Sequence, residues 1–246
     1  MTNVLVVKAN NRPDGVSTSM YNAFIEAAAT NEALNVTTFD VFEENLEYFG
    51  QELFNAFGKA QNGEQLTTRE ARSLEAFNKS REALTAADVV VFAFPLWNLT
   101  IPAALQSFID YTYGAGYSFK YGEQGELISL MTDKKYVVLN ARGGIYSTPQ
   151  MAATEMSVNY INNVIGGVYG MEKIGEVIIE GHASSKNDAQ AIIAAGLEKV
   201  KEVAAKEGSK VVIISARIEE ELCDLDDEDR QMFLEDLGVS TSGLDR

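Results

Sequence analysis

Ser17, Thr18 and Ser19 close an irregular stretch that begins at Ala9, contains Pro13 and Gly15, and follows an apolar run over 4–8. Three hydroxyls at the start of a helix lie beside backbone N–H groups without intrahelical acceptors and beside the positive end of the helix dipole. That is a seat for an anion such as phosphate, and it needs no lysine. The competing reading is that Ser17 only caps the helix. A second segment, Pro95-Leu96-Trp97-Asn98-Leu99-Thr100-Ile101-Pro102, holds the single tryptophan of the chain between two prolines. Leu96 and Trp97 could cover one face of a planar ring system, and Asn98 could both donate to and accept from its edge. A core tryptophan behind a turn is the alternative. A third segment, Ala141-Arg142-Gly143-Gly144-Ile145-Tyr146, has adjacent glycines that let backbone N–H groups approach a ligand edge, unless they form a plain turn.

These segments need elements to position them. Apolar runs of strand length fall at 4–8, 36–41, 89–94, 136–140 and 174–179, and helical spacing at 17–30, 68–86, 102–115, 149–165 and 187–207. Ser17, Thr68 and Asn187 are candidate caps, and Pro102 suits a first helical turn. Strand alternates with helix. The third and fourth runs are almost continuously apolar, as in a parallel sheet covered on both faces. With right-handed crossovers, the expected fold is an α/β flavodoxin-like doubly wound sheet of five parallel strands, order 2-1-3-4-5. Ligands of such sheets sit beyond the carboxyl ends of the strands at the switch point between strands one and three, which is where all three segments fall.

Together the segments offer a phosphate seat, a planar slot and a polar edge. That combination points to a mononucleotide, and to flavin mononucleotide (FMN) before others. One cysteine and one histidine among 246 residues leave no basis for a structural zinc site, so no metal is expected. A net charge of −16 disfavours nucleic acid and anionic membranes as partners. With no apolar run of membrane-spanning length and no basic leader, a soluble, cytoplasmic protein is expected.

From about residue 4 to residue 205 the chain resembles the FMN-dependent NADH azoreductases and quinone reductases, a flavodoxin-like family. The likeness rests on Pro95-Leu96-Trp97-Asn98 with Ile101-Pro102, on Gly116-Tyr117-Ser118-Phe119-Lys120-Tyr121, on Ala141 to Tyr146, and on Glu180-Gly181-His182. It implies FMN phosphate on Ser17, Thr18 and Ser19, the ring system against Pro95, Leu96, Trp97, Asn98 and Leu99, and the pyrimidine edge on Gly143 and Gly144, with Ala141 and Arg142 completing that cofactor-binding turn. Leu96 stands where the family often has methionine, and Ala9 and Asn10 occupy a stretch that often holds serine; Asn10 is assigned to the cofactor with the others. The likeness further implies a homodimer whose partner subunit completes each pocket, with Phe119, Tyr121 and Tyr146 facing substrate.

The implied activity is hydride transfer from NADH or NADPH to small quinones and aromatic azo compounds by a ping-pong cycle. The chemistry belongs to the flavin, so no protein side chain is assigned a catalytic role. An electron carrier of the flavodoxin type and a flavin-free nucleotide-binding or regulatory module are the rival readings. His182 is open to two interpretations, a proton donor or a residue shaping the turn after strand five. The segment 46–66, with Tyr48, Phe49, Phe54 and Phe57, reads as a lid or dimer-contact excursion, or else as a short helix packing those aromatics.

The boundary of the main domain is expected near 208. Residues 209–246 carry eleven Asp and Glu against four Lys and Arg, a net of −7. The text 211–219, 225–228 and 242–246 resembles part of an Obg-related GTPase, although the chain has no G-x-x-x-x-G-K-[ST] loop to hold phosphates. A fused or chimeric reading frame, with a strand at 210–215 and a short helix at 226–237 or partial disorder, is the expectation.

Overall fold

β1 (Thr2–Lys8) opens the chain as an apolar run, and its neighbours make it part of a five-stranded sheet. The computed structural model describes residues 1–205; the expectations for 209–246 lie outside the described residues. After β1 come α1 (Val16–Ala28), β2 (Leu34–Asp40), α2 (Gln51–Asn62), α3 (Thr68–Ala86), β3 (Val89–Pro95) and α4 (Ala103–Thr112). A short hairpin of β4 (Phe119–Tyr121) and β5 (Leu127–Ser129) precedes β6 (Lys135–Arg142). α5 (Val158–Ile161) runs on into a π-helical turn at Asn162–Val168, and β7 (Glu172–Glu180) and α6 (Ala189–Ala205) complete the described chain.

The sheet order is β2-β1-β3-β6-β7, all parallel, which is the expected 2-1-3-4-5 once the hairpin is set aside. Every residue of β3 is buried, because helices cover both faces. Successive residues alternate between two cores. Leu5, Val7, Val90, Phe92, Phe94 and Val138 pack with Leu84 of α3 and Leu105 and Phe108 of α4. Val4, Val6, Val91, Ala93 and Leu139 pack on the other side with Met20 and Phe24 of α1 and Val200 of α6.

The helix starts differ from those expected. α1 begins at an extended Gly15 (φ −75°, ψ 141°) that makes no side-chain cap, and Ser17 is already buried inside the first turn. The Gly15 N–H is taken by the Arg12 carbonyl (3.0 Å), a turn that delivers the chain into the helix two residues earlier than a Ser17 cap would. α3 is capped by Thr67, not Thr68, since Glu70 sits three residues after Thr67 and its carboxylate accepts the Thr67 N–H (2.7 Å). At α6 the Asp188 carboxylate takes the N–H groups of Gln190 and Ala191 (both 3.1 Å), while the Asn187 amide turns back to the Gly181 carbonyl. The helix expected over 149–165 starts late, at Val158. The Glu155 carboxylate there accepts from the backbone of Ser157, Val158 and Asn159 and fixes that start.

Within 46–66, α2 packs Leu53 and Ala56 inward, and its Phe57 ring meets Phe77 of α3 edge-on, with centroids 4.9 Å apart. The short-helix reading therefore holds for that face. Tyr48, Phe49 and Phe54 stay exposed, which leaves the contact reading with material of its own.

Phe92 lies at the centre of the sheet with no solvent exposure. Phe92→Ala should cost about 3–5 kcal/mol, read as a lower urea midpoint with an unchanged m-value.

Candidate functional site

Because β1, β3 and β6 are adjacent and parallel, their carboxyl ends open on one edge of the molecule. The chain is stitched there strand to strand: Ala9 N–H donates to the Ala93 carbonyl (2.9 Å) and Leu96 N–H to the Ala141 carbonyl (2.8 Å). Two buried asparagine amides extend the stitching. The Asn10 Nδ2 donates to the Ala93 carbonyl (3.3 Å) and Asn140 Nδ2 to the Phe94 carbonyl (3.1 Å).

At the start of α1 the Thr18 hydroxyl lies 2.7 Å from Asn10 Oδ1 and 2.6 Å from the Arg12 carbonyl, so its single proton serves the loop's own conformation. The Ser19 hydroxyl is 3.4 Å from the Gly15 carbonyl. The Ser17 side-chain hydroxyl, in a residue only 4% exposed, takes no hydrogen-bond partner among the described residues. An uncapped helix start beside an uncommitted hydroxyl is suited to an anion that accepts from both.

The second loop is a tight turn. Trp97 and Thr100 exchange two backbone hydrogen bonds (both 3.0 Å), and the residues between them, Asn98 (φ 51°) and Leu99 (φ 69°), are both left-handed. Asparagine tolerates that region; leucine does so at a cost of about 1–2 kcal/mol. The Leu99 carbonyl accepts the Met156 N–H (2.9 Å), which ties this turn to the loop after β6. The Trp97 ring is partly exposed and leans on Phe42, with centroids 6.2 Å apart, so it is a wall at the sheet edge and not a core residue.

The third loop holds Gly143 and Gly144 by their carbonyls, which accept from Ala183 and Gly181 N–H (both 3.1 Å). Among the described residues their own N–H groups have no acceptor, which leaves two free donors at the edge. A Cβ on Gly143 would come 3.0 Å from the Ala183 Cβ, and one on Gly144 3.2 Å from the Tyr146 ring. A side chain at either position would have to displace its neighbour by a few tenths of an ångström.

Beneath this loop lies a charged cluster. The buried Arg142 donates from Nε to Asn140 Oδ1 (3.0 Å), and its Nη1 is 3.7 Å from the Glu180 carboxylate. Burial works to raise the Glu155 pKa, yet the Ser157 hydroxyl, the Val158 N–H and the nearby Arg142 charge outweigh it and hold the carboxyl below its ordinary value. Glu155 was not picked out in the sequence, and Asn140 and Glu180 were noted only as part of their segments, with no role assigned. The available signal was polar residues set in or just after apolar strand runs.

His182 follows Gly181, whose φ of 79° favours glycine. Its Nδ1 is buried without a partner among the described residues, and burial lowers its pKa. The neutral ring that results fits the turn-shaping role better than proton donation. Of the residues expected to face substrate, Phe119 is 4% exposed and packed against Tyr113 and Tyr121, whereas Tyr121 is 65% exposed. Tyr146 is partly exposed beside Gly144. Among the described residues no group of His, Cys, Asp and Glu is placed to hold a metal, and no helix is long and apolar enough to cross a membrane.

Residues 2–204 match the family model described as having a flavodoxin-like fold. An FMN-dependent NADH:quinone oxidoreductase of Brevibacillus brevis is 42% identical over 207 residues, 83% of this chain and 99% of the relative. The FMN-dependent NADH:quinone oxidoreductase 1 of Bacillus subtilis is 42% identical over 209 residues, 84% of this chain and all of the relative. A crystal structure of an azoreductase from Bacillus anthracis superposes with a TM-score of 0.75 at 43% identity, covering 84% of this chain and 100% of that one.

If Leu99 carries backbone strain, Leu99→Gly should leave the urea midpoint of the ligand-free protein at or above the wild-type value. Leu99→Val, which adds β-branching in the same region, should lower stability by about 1 kcal/mol.

Proposed function

We propose, from the premise that the chain belongs to the flavodoxin-like family of FMN-dependent NADH:quinone oxidoreductases and azoreductases, that it reduces quinones and aromatic azo compounds at an FMN held by its three edge loops. The observation that carries this reading is the match of donor types to the three parts of the cofactor at one sheet edge. An uncapped helix start with the Ser17 hydroxyl meets the phosphate; the Pro95-to-Leu99 turn meets the ring; the unpaired N–H groups of Gly143 and Gly144 meet its polar edge. Asn10 and Thr18 hold the first loop in shape, and Ala141 and Arg142 carry the third.

Bound FMN supplies the two-electron centre that accepts hydride from a reduced nicotinamide and passes it on with a proton to the acceptor, in two half-reactions at one face. The protein's part is to bind, orient and shield. Trp97 and Leu99 form an apolar wall, and the glycine N–H groups favour charge that develops on the ring edge upon reduction. No side chain of the site is needed as a nucleophile, and NADH is the donor that the relatives' names favour over NADPH.

The exposed Tyr48, Phe54, Tyr121 and Met156 are costly as free surface, and we assign them to a homodimer contact that also narrows the substrate space, with Tyr121 and Tyr146 facing the acceptor. The acidic balance argues against nucleic acid as a partner, and a cytoplasmic setting supplies both nicotinamide and reduced thiols.

The purified protein reconstituted with FMN should show oxidised-flavin absorption that bleaches on anaerobic NADH and returns on adding a quinone. Flavin that binds but is not bleached would sink the reductase reading. Ser17→Ala should weaken FMN binding about tenfold. Sedimentation should give twice the chain mass, and charge at both Tyr48 and Phe54 should halve it.

A further inference from the structure

We propose that Glu180, the last residue of β7, is a positioning residue that fixes the turn carrying Gly143 and Gly144 and, by offsetting the charge of Arg142, sets how tightly the site holds reduced relative to oxidised FMN. The inference rests on the FMN reading above.

A single carboxylate does three things here. Its Oε2 accepts the Tyr146 N–H (2.9 Å), its Oε1 accepts the Ser147 hydroxyl, and Oε2 also lies 3.7 Å from Arg142 Nη1. The two glycines are held by their carbonyls from Gly181 and Ala183, one and three residues after Glu180 in the chain. Glu180 therefore clamps the far side of the same turn from the same strand end. Without it, the segment from Ile145 onward loses the two hydrogen bonds that tie Tyr146 and Ser147 to the end of β7, and the turn rests on the glycine carbonyls alone.

The charge arrangement carries the second half. Arg142 is 5% exposed, so its guanidinium is poorly screened by water, and Glu155 and Glu180 are the carboxylates that answer it. Removing the charge at Glu180 leaves the region under the turn more positive by one unit. A ring that gains negative charge on two-electron reduction is then favoured in its reduced form.

Glu180→Gln separates these effects because an amide keeps the shape, has one acceptor oxygen where the carboxylate has two, and carries no charge. In FMN-free protein, the Tyr146 amide should exchange with deuterium at least tenfold faster. In the loaded protein, the dissociation constant of oxidised FMN should rise about tenfold while that of reduced FMN changes little, so the midpoint potential rises by about 30 mV for the two-electron couple. Glu180→Asp, which keeps the charge but shortens the reach, should speed Tyr146 exchange without moving the potential, and it serves also if the glutamine variant folds poorly.

Wild-type exchange, affinity and potential in Glu180→Gln would overturn the proposal. Weaker binding at an unshifted potential would overturn it too, since loss of structure alone gives that result. If the wild-type protein binds no FMN, the functional reading fails by itself, and Tyr146 exchange still decides whether Glu180 anchors the turn.

Discussion

A parallel sheet covered on both faces leaves only the ends of its strands free for chemistry. Here that constraint governs everything else: β3 and β6 are buried nearly throughout, so they contribute packing along their length and function where they stop. The three loops that follow β1, β3 and β6 differ in sequence but solve one problem. Each must end a buried strand without stranding its polar backbone groups, and each does so by borrowing a partner from the next strand or from a buried amide such as Asn10 or Asn140. The groups left over, at the α1 start and on Gly143 and Gly144, are those a ligand can use.

Several of the devices at this edge cost stability. Leu99 sits in a region that leucine avoids, and Arg142 is a buried charge whose answering carboxylates come from a different strand and a different loop. A buried ion pair contributes little net stability, yet losing one member exposes the other to the full desolvation penalty. The cluster thus acts less as glue than as a lock: it is tolerable only when all of its members are in place, which forces the loop after β6 into one arrangement. The same argument applies to the Met156–Leu99 hydrogen bond, which joins two loops that would otherwise be free to move apart.

The sheet and its order were legible because continuous apolar runs separated by helical spacing admit few other solutions, and the ligand edge followed from topology. What was not legible depended on side chains choosing between equivalent offers. Thr67 and Thr68 are both acceptable caps by type, and only the reach of Glu70 decides between them. The β4–β5 hairpin escaped notice because three-residue strands carry no periodicity to read. Phe119 was expected to face substrate with Tyr121; the two share one face of β4, but Phe119 is covered by the Tyr113 and Tyr121 rings while Tyr121, at the end of the strand, stays exposed. Glu180 and Glu155 look like ordinary surface acids, and their importance arises only from Arg142 being folded beneath the loop.

The acidic charge of the chain raises a question that the local geometry answers. A net of −16 opposes the approach of a phosphorylated ligand, and among the described residues the basic side chain next to the α1 start is Arg12, which is paired with Asp14. Helix N–H dipoles escape this conflict because they act within one turn of the ligand, whereas exposed carboxylates farther away than the Debye length of about 8–10 Å are largely screened by salt. Such a seat discriminates by geometry and not by charge, so free polyanions gain little from it. The acidic surface then serves selection: an anionic ligand is admitted where the hydroxyl and backbone donors fit it, and is repelled elsewhere on the molecule.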